Sequence, residues 1–97
     1  MGLRKLSRTD EAEIYYLYNY GSRIRTQEEI AKFYGVSQQA VGAALQRFEL
    51  LLANLKNAEY KGRLRELGQE VSEARLSLIR KGAISNDAPI PQITYED

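Results

Sequence analysis

The sequence SQQAVGAALQR (37–47) sets two amides, a glycine, an alanine and a third amide at helical spacing. Gln38, Gln39, Gly42, Ala43 and Gln46 fall on one side of the repeat, and Val41, Ala44 and Leu45 fall on the other. A helix with small residues and amides outward can enter the DNA major groove and meet base edges. The same residues would also suit the solvent face of an ordinary αα-hairpin. The nearly non-hydrophobic outer face favours base contact by Gln38, Gln39, Gly42 and Ala43.

Such a face must be held by a second helix. Thr26 can N-cap one, with Glu29 completing a capping box. Ile30, Ala31, Phe33 and Tyr34 supply its apolar side. Gly35 stands where the chain needs a positive φ, Val36 is a turn residue, and Ser37 caps the helix that follows. Ala31 is small on the face toward that second helix, and Val41 fills the space above it. Two helices joined by so short a turn form a helix-turn-helix.

Gln27 to Gln46, QEEIAKFYGVSQQAVGAALQ, resembles the helix-turn-helix of phage repressors and Cro-like regulators. The matching positions are Gln27-Glu28, Ile30-Ala31, Gly35-Val36, Gln38 and Val41-Gly42-Ala43, and the match covers about a fifth of the chain. Residues 26–45 are also similar to sigma-factor region 4 and to the resolvase-type DNA-binding domain. The resemblance implies that Gln38 and Gln39 face bases, that Ala43 meets a thymine methyl, and that Gln27 and Gln46 lie near phosphate. Ser37 is a conservative variant of what such turns carry and joins the phosphate set. The implied function is a sequence-specific transcription regulator of phage type, working on double-stranded DNA as a homodimer or higher homo-oligomer. The alternatives are a small terminase-like packaging protein and a sigma-region-4-like adaptor that contacts RNA polymerase.

Basic residues around the motif extend the candidate site. Arg23 and Arg25 flank Ile24 just before the helix capped by Thr26, whose N-terminus attracts anions. They are expected at phosphates, as is Arg47, with pairing to Glu28 or Glu29 the alternative for the first two. Arg4, Lys5 and Arg8 suggest a basic arm for phosphate or the minor groove.

A supporting helix is expected from an N-cap at Thr9 to Tyr20, with Ile14, Leu17 and Tyr18 as its apolar stripe and Gly21 after its end. Beyond the motif, Leu45, Phe48, Leu52 and Leu55 make one stripe. Leu50, Ala53, Asn57, Tyr60, Leu64, Leu67, Val71, Ala74 and Leu78 make a heptad-spaced second one, with a break near 57–62 plausible on account of Gly62. The stripe can pair with another chain or fold back. Its spacing favours self-association through Leu64, Leu67, Val71 and Leu78. Gly82 ends the helical pattern, and Pro89 and Pro91 mark a flexible tail, with Ile90, Ile93 and Tyr95 as an alternative extended segment for a partner.

The expected architecture is all-α: a three-helix helix-turn-helix domain with a basic arm over 1–48, a helical oligomerisation segment over 49–82, and a flexible tail over 83–97. With 43% hydrophobic and 28% charged residues the 97-residue chain is globular. It has no cysteine and no histidine, which excludes disulfides, Cys-His or Ser-His nucleophile systems and the usual zinc sites. Its carboxylates form no cluster with a catalytic logic, so no enzymatic activity, cofactor or metal is expected. The net charge of +1 is low for a nucleic-acid binder and puts weight on local clustering. No apolar run long enough to span a membrane and no signal-peptide core are present, so a cytoplasmic location without membrane contact is expected.

Overall fold

The computed structural model describes residues 6–55 and 61–91. Among them the chain is all-helical: α1 (Arg8–Tyr20), α2 (Gln27–Tyr34), α3 (Gln38–Leu55) and α4 (Lys61–Arg80). No helix among the described residues is long and apolar enough to cross a membrane.

Local chemistry sets each end. The N-cap of α1 is Ser7, not Thr9. The Ser7 hydroxyl accepts the Asp10 N–H at 3.1 Å and the Asp10 carboxylate accepts the Ser7 N–H at 2.9 Å. Thr9 has Ala12 three residues on and cannot form that reciprocal pair. α1 ends at Gly21, where an added Cβ would stand 2.5 Å from the carbonyl oxygens of Leu17 and Ile24. Only glycine lets the chain close there and start α2 so soon. Thr26 and Glu29 form the expected capping box on α2. Gly35 takes φ 68°, and the Val36 N–H returns to the Ala31 carbonyl at 3.0 Å, which closes α2 in a left-handed cap. The Ser37 hydroxyl accepts the Ala40 N–H at 3.1 Å and opens α3.

One apolar cluster joins all four helices. Ile14, Tyr16 and Leu17 of α1, Ile30 and Ala31 of α2, and Val41, Ala44, Leu45 and Phe48 of α3 are buried together with Leu67, Val71, Ala74 and Leu78 of α4. Tyr16, not Tyr18, belongs to this core: Tyr16 is fully buried and Tyr18 is 44% exposed. The Tyr16 ring stacks on Tyr20 at 5.1 Å, and its hydroxyl donates to the Pro89 carbonyl. Burial pushes the Tyr16 phenol pKa up, with Arg75 beside it pulling the other way.

The heptad stripe folds back. Leu67, Val71 and Leu78 are each 2% exposed or less within the single chain, which leaves no apolar area on them for a second copy. Helices α1, α2 and α3 are too short to enclose a core alone, and α4 covers the open side of α1. α3 runs through residue 48 without a break, and residues on both sides of that boundary share the cluster. The side chains of Leu55 and Leu64, and residues Asn57 and Tyr60, lie outside the described residues.

The tail is held as far as Pro89. Ala83 and Ile84 are buried, and the Arg75 guanidinium donates to the carbonyls of Asn86 and Ala88 at 2.8–3.0 Å. This corrects the expectation of a flexible segment from residue 83 for the described part, because a half-buried arginine and two carbonyls strap it to α4. Ile93 and Tyr95 lie outside the described residues.

Glu13 is the charged group at the centre. It is 1% exposed and accepts from the Tyr34 hydroxyl at 2.5 Å, the Lys81 ammonium at 2.7 Å and the Ser77 hydroxyl at 2.8 Å. Removing a buried, fully hydrogen-bonded carboxylate strands its donors, so Glu13→Ala should cost about 3 kcal/mol. Arg8→Ala, which breaks an exposed pair with Glu70, should cost under about 1 kcal/mol. Urea melts compare the two, and equal losses would remove Glu13 from this role. Leu67→Ala should lower stability by about 2–5 kcal/mol through the cavity it leaves. That loss should not vary with protein concentration. Melts repeated over a hundredfold range of concentration would expose an interchain contribution.

Candidate nucleic-acid interface

The α2–turn–α3 unit carries the residues singled out by their chemistry. Val41, Ala44, Leu45, Phe48 and Leu52 of α3 turn inward, so Gln39, Ala43, Gln46 and Leu50 turn outward along one row. All four are exposed, and Leu50 is 56% exposed. Among the described residues no side chain hydrogen-bonds Gln38, Gln39 or Gln46. The carboxamides are therefore available to an outside partner.

Gln38 stands at the edge of this row. With Tyr18, Asn19, Gly21, Arg25, Thr26 and Gln27 it lines an open groove of about 560 Å³ between the end of α1 and the starts of α2 and α3. Gln27 and Arg25, expected at phosphate, and Gln38, expected at a base, line the same groove. Tyr18 and Asn19 were not foreseen in this place, because they reach it only through the sharp closure at Gly21. Heptad spacing alone puts Leu50 in the second stripe. Its position four residues after Gln46 was the signal that it continues the outer row instead.

Gly42 does not belong to the outer face. It is half-buried, and a Cβ there would lie 3.3 Å from the Gln27 side-chain oxygen. Its smallness serves the approach of α2 to α3. The Ser37 hydroxyl oxygen is occupied as the α3 cap, so its first role is structural.

Three of the expected phosphate or arm residues are engaged within the chain. Arg47 gives Nε and Nη2 to one Glu11 oxygen at 3.0 and 2.8 Å, and the Glu11 side chain is only 14% exposed. Arg23 donates to the Gly82 carbonyl at 3.0 Å, at the negative end of α4. Arg8 pairs with Glu70 at 2.9 Å and lies 5.5 Å from the centre of the Phe48 ring. In each case a carboxylate, carbonyl or ring from a distant part of the chain reaches the guanidinium first. Arg4 and Lys5 lie outside the described residues. Arg25 keeps its side chain exposed at the mouth of the groove.

The start of α2 is held by Glu29. Its carboxylate accepts from the Thr26 N–H at 3.1 Å, the Thr26 hydroxyl at 3.0 Å and the Arg25 N–H at 3.3 Å. The Thr26 backbone hydrogen bond leads the causes that hold its pKa below the usual carboxylate value, followed by the Arg25 backbone and the Thr26 hydroxyl. One carboxylate thus sets the backbone on which Arg25 and Gln27 stand.

Set against models of known families, against curated proteins and against solved structures, the chain matches none of them. The functional reading rests on the geometry.

A depressed carboxylate stabilises the fold fully above the ordinary carboxylate range, and that contribution is lost as pH falls through the lowered folded-state value. Glu29→Gln should therefore be less stable than the parent at about pH 7, and the gap should be smaller at about pH 3. Denaturant melts at the two pH values test this. A gap that stays constant would mean the carboxylate charge is not what caps α2.

Proposed function

We propose that this chain is a sequence-specific DNA-binding regulator of helix-turn-helix type. In this reading α3 lies in the major groove and presents Gln39, Ala43 and Gln46 to base edges, with Gln38 beside them. Arg25 and Gln27 meet the phosphates flanking the groove. The observation that carries the proposal is the exposed row on α3, whose amides have no partner among the described side chains and which adjoins a groove bearing an exposed arginine. A solvated helix face without a ligand more often carries charged residues, which are well hydrated and suit i,i+4 pairing. Amides and a methyl gain little in water and match the donors, acceptors and methyl groups of base edges.

With the α4 stripe spent inside the chain, pairing of two copies is not built on Leu67, Val71 or Leu78. Under this proposal two copies meet on adjacent half-sites of the DNA. The packaging and polymerase-adaptor alternatives draw on no separate observation.

Gln39→Ala and Gln46→Ala should each cost about 1–3 kcal/mol at a cognate site and little at unrelated DNA. Arg25→Ala should weaken binding to all sequences and lower the salt slope by about 1. Titrations at several salt concentrations, with circular dichroism as a folding control, separate these effects. Full affinity and selectivity in the Gln39, Gln46 double variant would end the proposal.

A further inference from the structure

The outer row of α3 also carries information about which bases it suits. Gln39, Ala43, Gln46 and Leu50 offer two carboxamides, a methyl and a branched apolar group. Guanine shows two acceptors in the major groove and is best met by a cation, and cytosine shows an amine that is best met by a carboxylate. Adenine shows an acceptor beside a donor, which a carboxamide matches with one of each, and thymine adds a methyl group. The row contains no charged side chain. The nearest cation on α3, Arg47, is drawn to the α1 side by Glu11, with both hydrogen bonds on one oxygen. Glu49 is exposed but falls to the side of the row by its helical spacing.

The length of the row is informative as well. From Gln39 to Leu50 a helix rises about 16 Å, close to five base-pair steps of about 3.4 Å. The alternation of amide, methyl, amide and apolar group runs the whole way.

We infer that the half-site read by α3 is a core of about four or five base pairs rich in A·T, with Gln39 and Gln46 at adenines and Ala43 and Leu50 against thymine methyl groups. This rests on the DNA-binding reading. It adds that the specificity is set by the uncharged row, with Arg47 turned to Glu11 on its flank.

The test is a selection by the full chain from a random duplex pool, followed by titration of the best sequence and two analogues. In one analogue uracil replaces thymine in the core, which removes only the methyl groups. In the other, inosine·cytosine replaces A·T, which gives the major groove of G·C and keeps the minor groove free of the guanine amine. The expected core is A·T-rich. Uracil should weaken binding about fourfold for each thymine methyl that α3 touches, and inosine·cytosine about tenfold per pair. The exposed double variant Ala43→Gly with Leu50→Ala should lose the uracil effect while keeping its helical signal. A guanine-rich core, or analogues that bind as well as the parent, would overturn the inference and leave DNA binding standing. No enrichment and no binding to any duplex would overturn the DNA-binding reading itself, and the inference with it.

Discussion

The buried carboxylate of Glu13 is the constraint on which the rest of this fold depends. A carboxylate taken out of water is costly unless every lone pair finds a donor. Here the donors come from three places: Tyr34 of α2, Ser77 of α4 and Lys81 just beyond α4. Glu13 itself stands on α1, so one side chain joins α1 to α2 and to the end of α4. None of the three can move away without leaving a charge stranded in the core. Lys81 also lies 5.7 Å from the centre of the Tyr34 ring, which closes the cluster on its exposed side.

That cluster explains why α4 behaves as part of the core and not as an appendage. Its apolar stripe and its polar anchor arrive on α1 together. Once Leu67, Val71 and Leu78 are buried against α1, the strap from Ala83 to Pro89 follows, because Arg75 and Tyr16 both hold its carbonyls. The α2–turn–α3 unit is thus braced from behind. A face that meets a rigid partner gains from such bracing, since less order has to be created on contact.

The same long-range interactions sort the cations. Arg8, Arg23 and Arg47 look equivalent to Arg25 in the sequence, yet each is satisfied by a group more than thirty positions away. What is left facing outward on α3 is largely uncharged. A surface of this kind relies on hydrogen-bond geometry more than on charge attraction, which agrees with a net charge of only +1. On the reading proposed here, selectivity would come from base edges, and the electrostatic contribution would be small for each copy.

The sequence by itself determined the local features. The Thr26–Glu29 box, the positive φ of Gly35, the Ser37 cap and the inward set Val41, Ala44 and Leu45 depend on residues a few positions apart, and each is found as the spacing predicts. The exposed amides of α3 were legible for the same reason, since a helical period fixes which side they share. The Ser7 cap, in place of Thr9, belongs with the local features, since its reciprocal partner Asp10 is only three residues on. Only the tertiary structure decided the rest. Heptad spacing is the same whether a stripe meets another chain or its own α1, and here Leu67, Val71 and Leu78 are buried against α1. Tyr16 and not Tyr18 entered the core because the returning strap supplied a carbonyl for its hydroxyl. Gly42 left the outer face because Gln27 crosses there. Arg47, expected at phosphate, is paired instead because Glu11, thirty-six residues earlier, lies on the adjoining face of α1. Spacing along a chain encodes which side a residue faces, but not what the fold will bring to meet it.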